Sequence, residues 1–528
     1  MKKITTIPFL NIESIPTLIK DFLTQKIAGF EEDVFNVENI KNQFEEKENS
    51  FSQSRREVLF QVLREQHSVS ELSENQKSNL NFIKDKNAFT VTTGHQLNLF
   101  SGPVFFIYKI LQTIKLANYL NENFPDKKVI PLFWMASEDH DFEEINHFKT
   151  ENNYYEIKAK SGGAVGKIKV DDQYFISEFE KEFQDSVFGT ELILLLKKAY
   201  KKENTLSAAT RILVQELFAD YGLLIIDGDH KALKTEIKAV FKEELLHQKL
   251  FNTTKETVSN LKKTYGKVQV NPRDINLFYL SKTRDRIELR NDLYKIVDSD
   301  ISFSHKEIIE ELENHPEKFS PNALMRPVYQ ETILPNLAYI GGNAEIMYWL
   351  ELKNYFAEIN LPFPVLIPRN SILLVSEKTL AKTKKLDLEI EDFFKNFAEI
   401  TKNAILENNE ILALLNENEL LLEKHFDEIA KSAEYTDTSF ANLVQAEKTR
   451  QIKSFSRMKK RLLHAEKIKQ NEKLERLENL FLKIHPGKNW QERTYNYSVF
   501  YSDYGKEWLQ NCYEAIDVQN SELIIFSI

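Results

Sequence analysis

The sequence predicts an α/β protein: a core built on a parallel sheet with helical insertions, followed by a long helical arm. Two observations carry this. First, the apolar runs AFTVTT (88–93) and VIPLFWM (129–135) each stop at a polar cluster, and a helix-like pattern follows each. Such strand–loop–helix order suits parallel strands covered on both faces, with their polar loops at one edge. Second, no Gly or Pro occurs from Arg369 through His485. The two strongest helix breakers are thus missing over a stretch too long for anything but extended helix.

Residues 1–80, rich in Glu, Asn and Ser, read as a helical lead-in packed on the core. Residues 81–375 form the α/β core. After the first run, Ile110, Ile114 and Ala117 share one face of a helix expected over Phe105–Leu120. Later strands repeat the layout: LLII ends at Asp227, Gly228, Asp229 and His230; LAYI ends at Gly341, Gly342 and Asn343; PVLIP ends at Arg369 and Asn370. Helical insertions are expected near 171–220 and 230–265, with short strands at Leu277–Leu280 and Arg286–Leu289. Residues 376–485 read as a coiled-coil domain that reverses near Glu407–Asn418 and Tyr435–Thr438. In it, Phe455, Met458, Leu462 and Ala465 follow 3,4,3 spacing, as do Leu474, Leu477, Phe481 and Ile484, with a stutter between the two runs. Pro486 and Gly487 end the arm, and 486–528 returns to the core through LIIFSI, a strand expected to rejoin the core sheet.

Composition narrows the function. A net charge of −10 argues against a nucleic-acid coat, and no apolar run nears the roughly 20 residues of a membrane helix. The start, MKKITTIPFL, carries no sustained apolar region, so no secretion signal is read. A lone Cys512 can form neither an internal disulfide nor a multi-thiolate metal site. A cytoplasmic protein without nucleic-acid or membrane partners is expected.

The strand-end loops hold the candidate chemistry. Gly94, His95 and Gln96, with Asn98 and Gly102 behind, offer close backbone approach and an imidazole that could bind an anion or donate a proton; alternatively, Gly94 makes a turn and His95 caps the helix. Glu138, Asp139, His140 and Asp141 could tune a base or orient a cationic group; alternatively, they are an acidic helix start. His140 and His147 would share a helix face, but a zinc site needs a further ligand from elsewhere, so no metal residue is assigned. Gly341, Gly342 and Glu345 open a third helix, where Glu345 could bind a substrate ammonium or serve only as a first-turn acid. Arg326 and Arg369 are carboxylate clamps or surface ion pairs.

Taken in order, TGHQLNLFSGP, FWMASEDHDFEE, DINLFYL, RPVYQETILPNLAYIGGNAEIMYWLELK, PVLIPRNS and HPGKNWQER resemble the motif series of the cysteine-adding enzymes of bacillithiol biosynthesis. The resemblance spans nearly the whole chain. It implies a Rossmann-like nucleotidylyltransferase-type core akin to class I aminoacyl-tRNA synthetases, and an antiparallel coiled coil that helps build a homodimer. It further implies a ligase that joins the small molecules cysteine and glucosaminyl malate to give bacillithiol. Family roles transfer to Gly94, Gln96, Gly102, Glu138, Asp139, His140, Asp141, Gly341, Gly342 and Glu345. The family more often reads TGQQ with Gly at the place of Asn98, so His95 is either catalytic or a replacement for a binding amide. In an amide-forming ligase His95 would steady phosphate charge, Asp139 and Asp141 would orient the amine or a metal, and His140 would be acid or base. ATP and Mg²⁺ are expected by fold analogy alone, since no P-loop occurs and Lys282 in SKTRDR is the nearest synthetase-like lysine. Another amino-acid-activating or nucleotidyl-transferring enzyme, a coiled-coil scaffold and a metal-dependent hydrolase are the alternatives.

Overall fold

A computed structural model describes residues 1–69 and 71–528. The chain divides into two compact units: 1–10, 15–374 and 491–528 in one, 11–14 and 375–490 in the other.

The first unit is organised by a five-stranded sheet in the order Val365–Pro368, Asn336–Gly341, Ala88–His95, Lys128–Met135, Leu224–Asp227. Every neighbouring pair is parallel. Gly94 lies opposite Trp134 and His95 opposite Met135, so the two polar clusters leave adjacent strands at one edge. The Lys128–Met135 strand is buried along almost its whole length, which explains its apolar run. Helix Phe105–Asn123 buries Ile110, Ile114, Ala117 and Leu120 against it, as the spacing predicts. The insertions are helical at Tyr174–Phe183, Gly189–Ala199, Leu206–Phe218, Lys231–His247 and Lys249–Tyr265.

An antiparallel five-stranded sheet holds Leu277–Leu280 and Arg284–Arg290. The terminal strand departs from expectation. Glu522–Ser527 does not join the parallel sheet; it lies between Lys2–Pro8 and Ser371–Val375 in a separate three-stranded sheet. Residues 1–80 are therefore helical only after an opening strand, which KKITTIP does not announce because its outer face is exposed.

The second unit carries the arm: helices Phe397–Leu406, Glu410–Ala433, Thr438–Lys469 and Asn471–Ile484. Reversals fall at 407–409 and 434–437, within or beside the expected segments, and Asn409 and Asp437 cap the helices that follow. The expected stutter is a helix break instead: Gln470 leaves helical geometry (φ −106, ψ 33), which accounts for the change of phase. Leu477 and Ile484 are buried, whereas Met458 and Ala465 are exposed.

Candidate functional site

The loops at 94–102, 137–141 and 341–345 leave neighbouring parallel strands, and named bonds tie them together. Lys109, on the helix after the first strand, is buried; its Nζ donates to Gly94 O at 2.6 Å and to Glu345 Oε2 at 2.7 Å. Tyr339 Oη donates to Glu345 Oε1 at 2.7 Å, and Gly342 N–H donates to Oε2 at 2.8 Å. Burial opposes ionisation of Glu345, but the Lys109 charge and these donors hold its carboxyl down at about 2. The ammonium that Glu345 meets in this structure is that of Lys109. Gly341 is tightly packed: a Cβ there would lie 3.0 Å from the Tyr339 ring and 3.1 Å from Ile346 Cδ1, so these side chains would have to give by a few tenths of an ångström.

Gln96 is the hinge to the second loop. Its Nε2 donates to Asp139 Oδ2 and to Glu144 Oε2, each at 2.8 Å. Asp139 Oδ1 also accepts the His140 backbone N–H at 2.7 Å. Although burial works the other way, the Gln96 side chain, the charge of Arg284 and the His140 backbone N–H hold the Asp139 carboxyl well below the usual range. Asp141 is exposed and caps the short helix Phe142–Ile145, accepting from Glu144 N–H at 3.3 Å. That bond belongs to the helix-start reading of this residue.

Glu138 points away from this group toward a buried ionic cluster. Lys234 bonds Glu138, Asp229 Oδ1 at 3.3 Å and Glu317 O at 3.0 Å. Asp229 also pairs with Lys167 at 2.9 Å, and Ser137 donates to Asp227. Burial pushes the carboxyls of Glu138 and Asp227 up. The loop 162–166 closes over this edge: Val165 N–H donates to Asp139 O at 2.6 Å and Gly166 N–H to Ser137 O at 2.8 Å. Gly166 allows that approach, since a Cβ would lie 2.7 Å from Ser137 Cβ.

His95 lies between Phe105, stacked at 5.2 Å, and Phe106, edge-on at 5.1 Å. Burial first, and the Lys109 charge second, push its pKa down to about 3, so it is a neutral imidazole. It can meet a phosphate or carboxylate only as a hydrogen-bonding group, not as a cation. It neither caps the following helix nor sits in a turn, and Gly94 lies within the strand with ordinary room for a Cβ beside Trp134 and Arg326. Gly102 (φ +63) ends a tight turn in which a Cβ would lie 2.6 Å from Asn98 Cβ; Asn496 Nδ2 steadies that turn through Phe100 O and Gly102 O, both at 2.7 Å.

Arg369 is a clamp, but for the protein itself. Its guanidinium takes Glu492 in bidentate fashion at 2.9 and 2.6 Å, with both side chains buried. In this structure the guanidinium of Arg369 is engaged by that internal carboxylate. Arg326 donates to Gln330 Oε1 at 2.8 Å and lies over the rings of Tyr339 and Trp349.

Sequence reasoning missed Lys109 and Arg284. Lys109 was legible as a lysine inside FFIYKILQTI, an apolar helix face where a cation requires a buried partner. Arg284 lay in the noted SKTRDR segment, yet its Nη1 reaches His140 Nδ1 at 2.9 Å from the antiparallel sheet, a contact no spacing announces. Lys282 itself is exposed.

A parallel α/β sheet whose strand-end loops converge on ionisable side chains defines a Rossmann-like enzyme core, here joined to a coiled-coil domain. The family model described as "Bacillithiol biosynthesis BshC, N-terminal Rossmann-like domain" matches residues 4–370, and the "C-terminal coiled-coil domain" of the same family matches 372–528. The chain belongs to the BshC family of bacillithiol biosynthesis. Relatives named "Putative cysteine ligase BshC" include one from Flavobacterium johnsoniae, 40% identical over 93% of each chain, and one from Christiangramia forsetii, 39% identical over 97% of this chain and 96% of the relative. One from Bacillus anthracis is 28% identical over 83% of this chain and 84% of its own. A solved structure titled as an arginyl-tRNA synthetase of Campylobacter jejuni aligns with 77% of this chain and 94% of its own, at 10% identity and TM-score 0.21, too slight a likeness to argue from.

Proposed function

We propose that this chain is the cysteine ligase that completes bacillithiol, joining the carboxyl group of cysteine to the amine of glucosaminyl malate in the cytoplasm. The observation that carries the reading is the tie between strand-end loops: Gln96 to Asp139, and Lys109 to Gly94 and Glu345, hold one crevice edge rigid while Asp141 and Glu144 stay exposed there and His140 half-buried. Preorganised polar groups at the carboxyl ends of parallel strands are what a ligand crevice needs. His140 and Asp139 are the pair assigned to the reacting groups. Asp141 and Glu144 are the open carboxylates able to meet an ammonium.

Forming an amide from a free carboxylate in water needs activation, which is the ground for proposing ATP with Mg²⁺. The surrounding residues do not fit a built metal–nucleotide site: Glu138 and Asp229 close on Lys234, Glu345 closes on Lys109, and His95 is neutral. No step is routed through the nucleotide. Self-association through the arm is part of the proposal, since Ile411, Leu414, Leu420 and Leu421 remain exposed on helix Glu410–Ala433.

The test is thiol profiling of a strain lacking the gene. Glucosaminyl malate should accumulate and bacillithiol should vanish, with both reversed by the wild-type chain. Normal bacillithiol in the deletion strain would overturn the assignment, and purified protein that activates a different amino acid would move it to another amino-acid-activating enzyme.

A further inference from the structure

The chemistry of His140 is decided by a residue outside the strand-end loops. Arg284 is buried and fully committed. Its Nε donates to Ser320 Oγ at 3.0 Å, its Nη2 to Pro321 O at 2.7 Å, and its cation lies 4.0 Å from the centre of the Phe278 ring. The remaining arm, Nη1, stands 2.9 Å from His140 Nδ1. A guanidinium has only N–H donors and stays protonated in proteins, so it can donate but never accept. Nδ1 of His140 must therefore carry the lone pair, and the ring proton of the neutral imidazole sits on Nε2. Asp139 does not reverse this: its Oδ1 is 3.5 Å from Nδ1, longer than the arginine contact, and is already engaged by the His140 backbone N–H at 2.7 Å. The His140 side chain keeps 41% of its surface exposed, so the ring is accessible to a ligand.

We propose that Arg284 fixes His140 as an Nε2–H donor, and that His140 donates to the carboxyl oxygen of the acid substrate that stays in the amide, while the other carboxyl oxygen leaves with the electron pair of its C–O bond as the amine nitrogen bonds that carbon; His140 does not take the amine proton. Arg284 is the positioning residue and His140 the group that touches substrate. The proposal rests on the reading that amide formation takes place in this crevice. It leaves the exposed carboxylates Asp141 and Glu144 as acceptors for the amine proton.

Two measurements test it, and they fail independently. The first needs no substrate. In full-length protein labelled with ¹⁵N-histidine, the His140 signals, identified by their loss in His140→Gln, should report the Nε2–H tautomer at neutral pH. Arg284→Met, checked for folding by its melting curve, should let the two tautomers mix. A wild-type Nδ1–H tautomer overturns the proposal, whether or not the Arg284 variant folds. The second compares His140→Gln, which keeps a side-chain N–H donor but no base, with His140→Ala. Bacillithiol formation should fall by about tenfold or less in the first and by on the order of 100-fold or more in the second. Equal loss in both overturns the donor role. Absence of product from the wild-type protein with the correct tautomer would instead refute the proposed activity.

Discussion

The sheet edge and the helical arm treat charge and apolar surface in opposite ways. At the sheet, ionic groups are buried and matched: Arg369 with Glu492, Lys47 with Glu331 at 2.9 Å, Lys109 with Glu345. In the arm, ion pairs such as Lys448 with Asp427 lie at the surface, and large apolar residues are exposed, Leu420 at 68% among them. Desolvated charge is tolerated only where partners are fixed, so the sheet edge is rigid and intolerant of single changes. Exposed leucines on a long helix suit a seam that another surface covers, so the arm should tolerate loss of its charges and respond to loss of its apolar face.

The largest effect should come from Arg369→Met or Glu492→Gln, each leaving one buried group without its partner. A loss of roughly 3–5 kcal/mol is expected in urea denaturation for either change, with much of it recovered when both sites are made apolar together. A loss below about 1 kcal/mol would mean that the pair is not buried in solution. Next, Leu414→Asp combined with Leu421→Asp should weaken self-association of the full chain on the order of 100-fold in sedimentation equilibrium, while far-ultraviolet circular dichroism stays unchanged. An unchanged mass distribution would remove these leucines from any interface.

An effect that is nil above pH 6.5 and grows only on acidification concerns His95. Its folded pKa, pushed to about 3, lies below the ordinary 6.5, so the unfolded chain takes up a proton that the folded chain refuses. The stability this contributes is complete above pH 6.5 and drains away as pH falls toward 3. His95→Gln should therefore change the slope of unfolding free energy against pH by about 1.4 kcal/mol per pH unit within that window. Parallel slopes for the two proteins would show that His95 is not enclosed. Smallest of all, Lys448→Ala in the arm should shift stability by less than about 1 kcal/mol, as surface pairs do. A larger loss would place that pair in a covered interface.

Much of this was legible in order along the chain. The apolar run at 129–135, the Ile110–Ile114–Ala117 face and the empty record of Gly and Pro after Arg369 each report a local period, and each is found as strand, helix or arm. Gly102 was legible as a glycine, though not whether a ligand or a neighbouring side chain required it; its φ of +63 and the closeness of Asn98 supply that answer. The strand Lys2–Pro8 was not legible, because its pairing with Glu522–Ser527 is made across the whole chain and its exposed face lacks the apolar alternation that marks a strand.

By itself the sequence determined the parallel core, the polar loops at strand ends, the helical arm and the family, because these follow from periodicity, from breakers and from motifs read in a fixed order. Only the tertiary structure decided which charges face one another. It turned Glu345 toward Lys109, Arg369 toward Glu492 and Glu138 toward Lys234, and it set Arg284 against His140 from a separate sheet. The physical reason is that a side chain's charge and reach are written in its own residue, whereas its partner is chosen by packing between segments hundreds of residues apart, where burial makes the pairing obligatory.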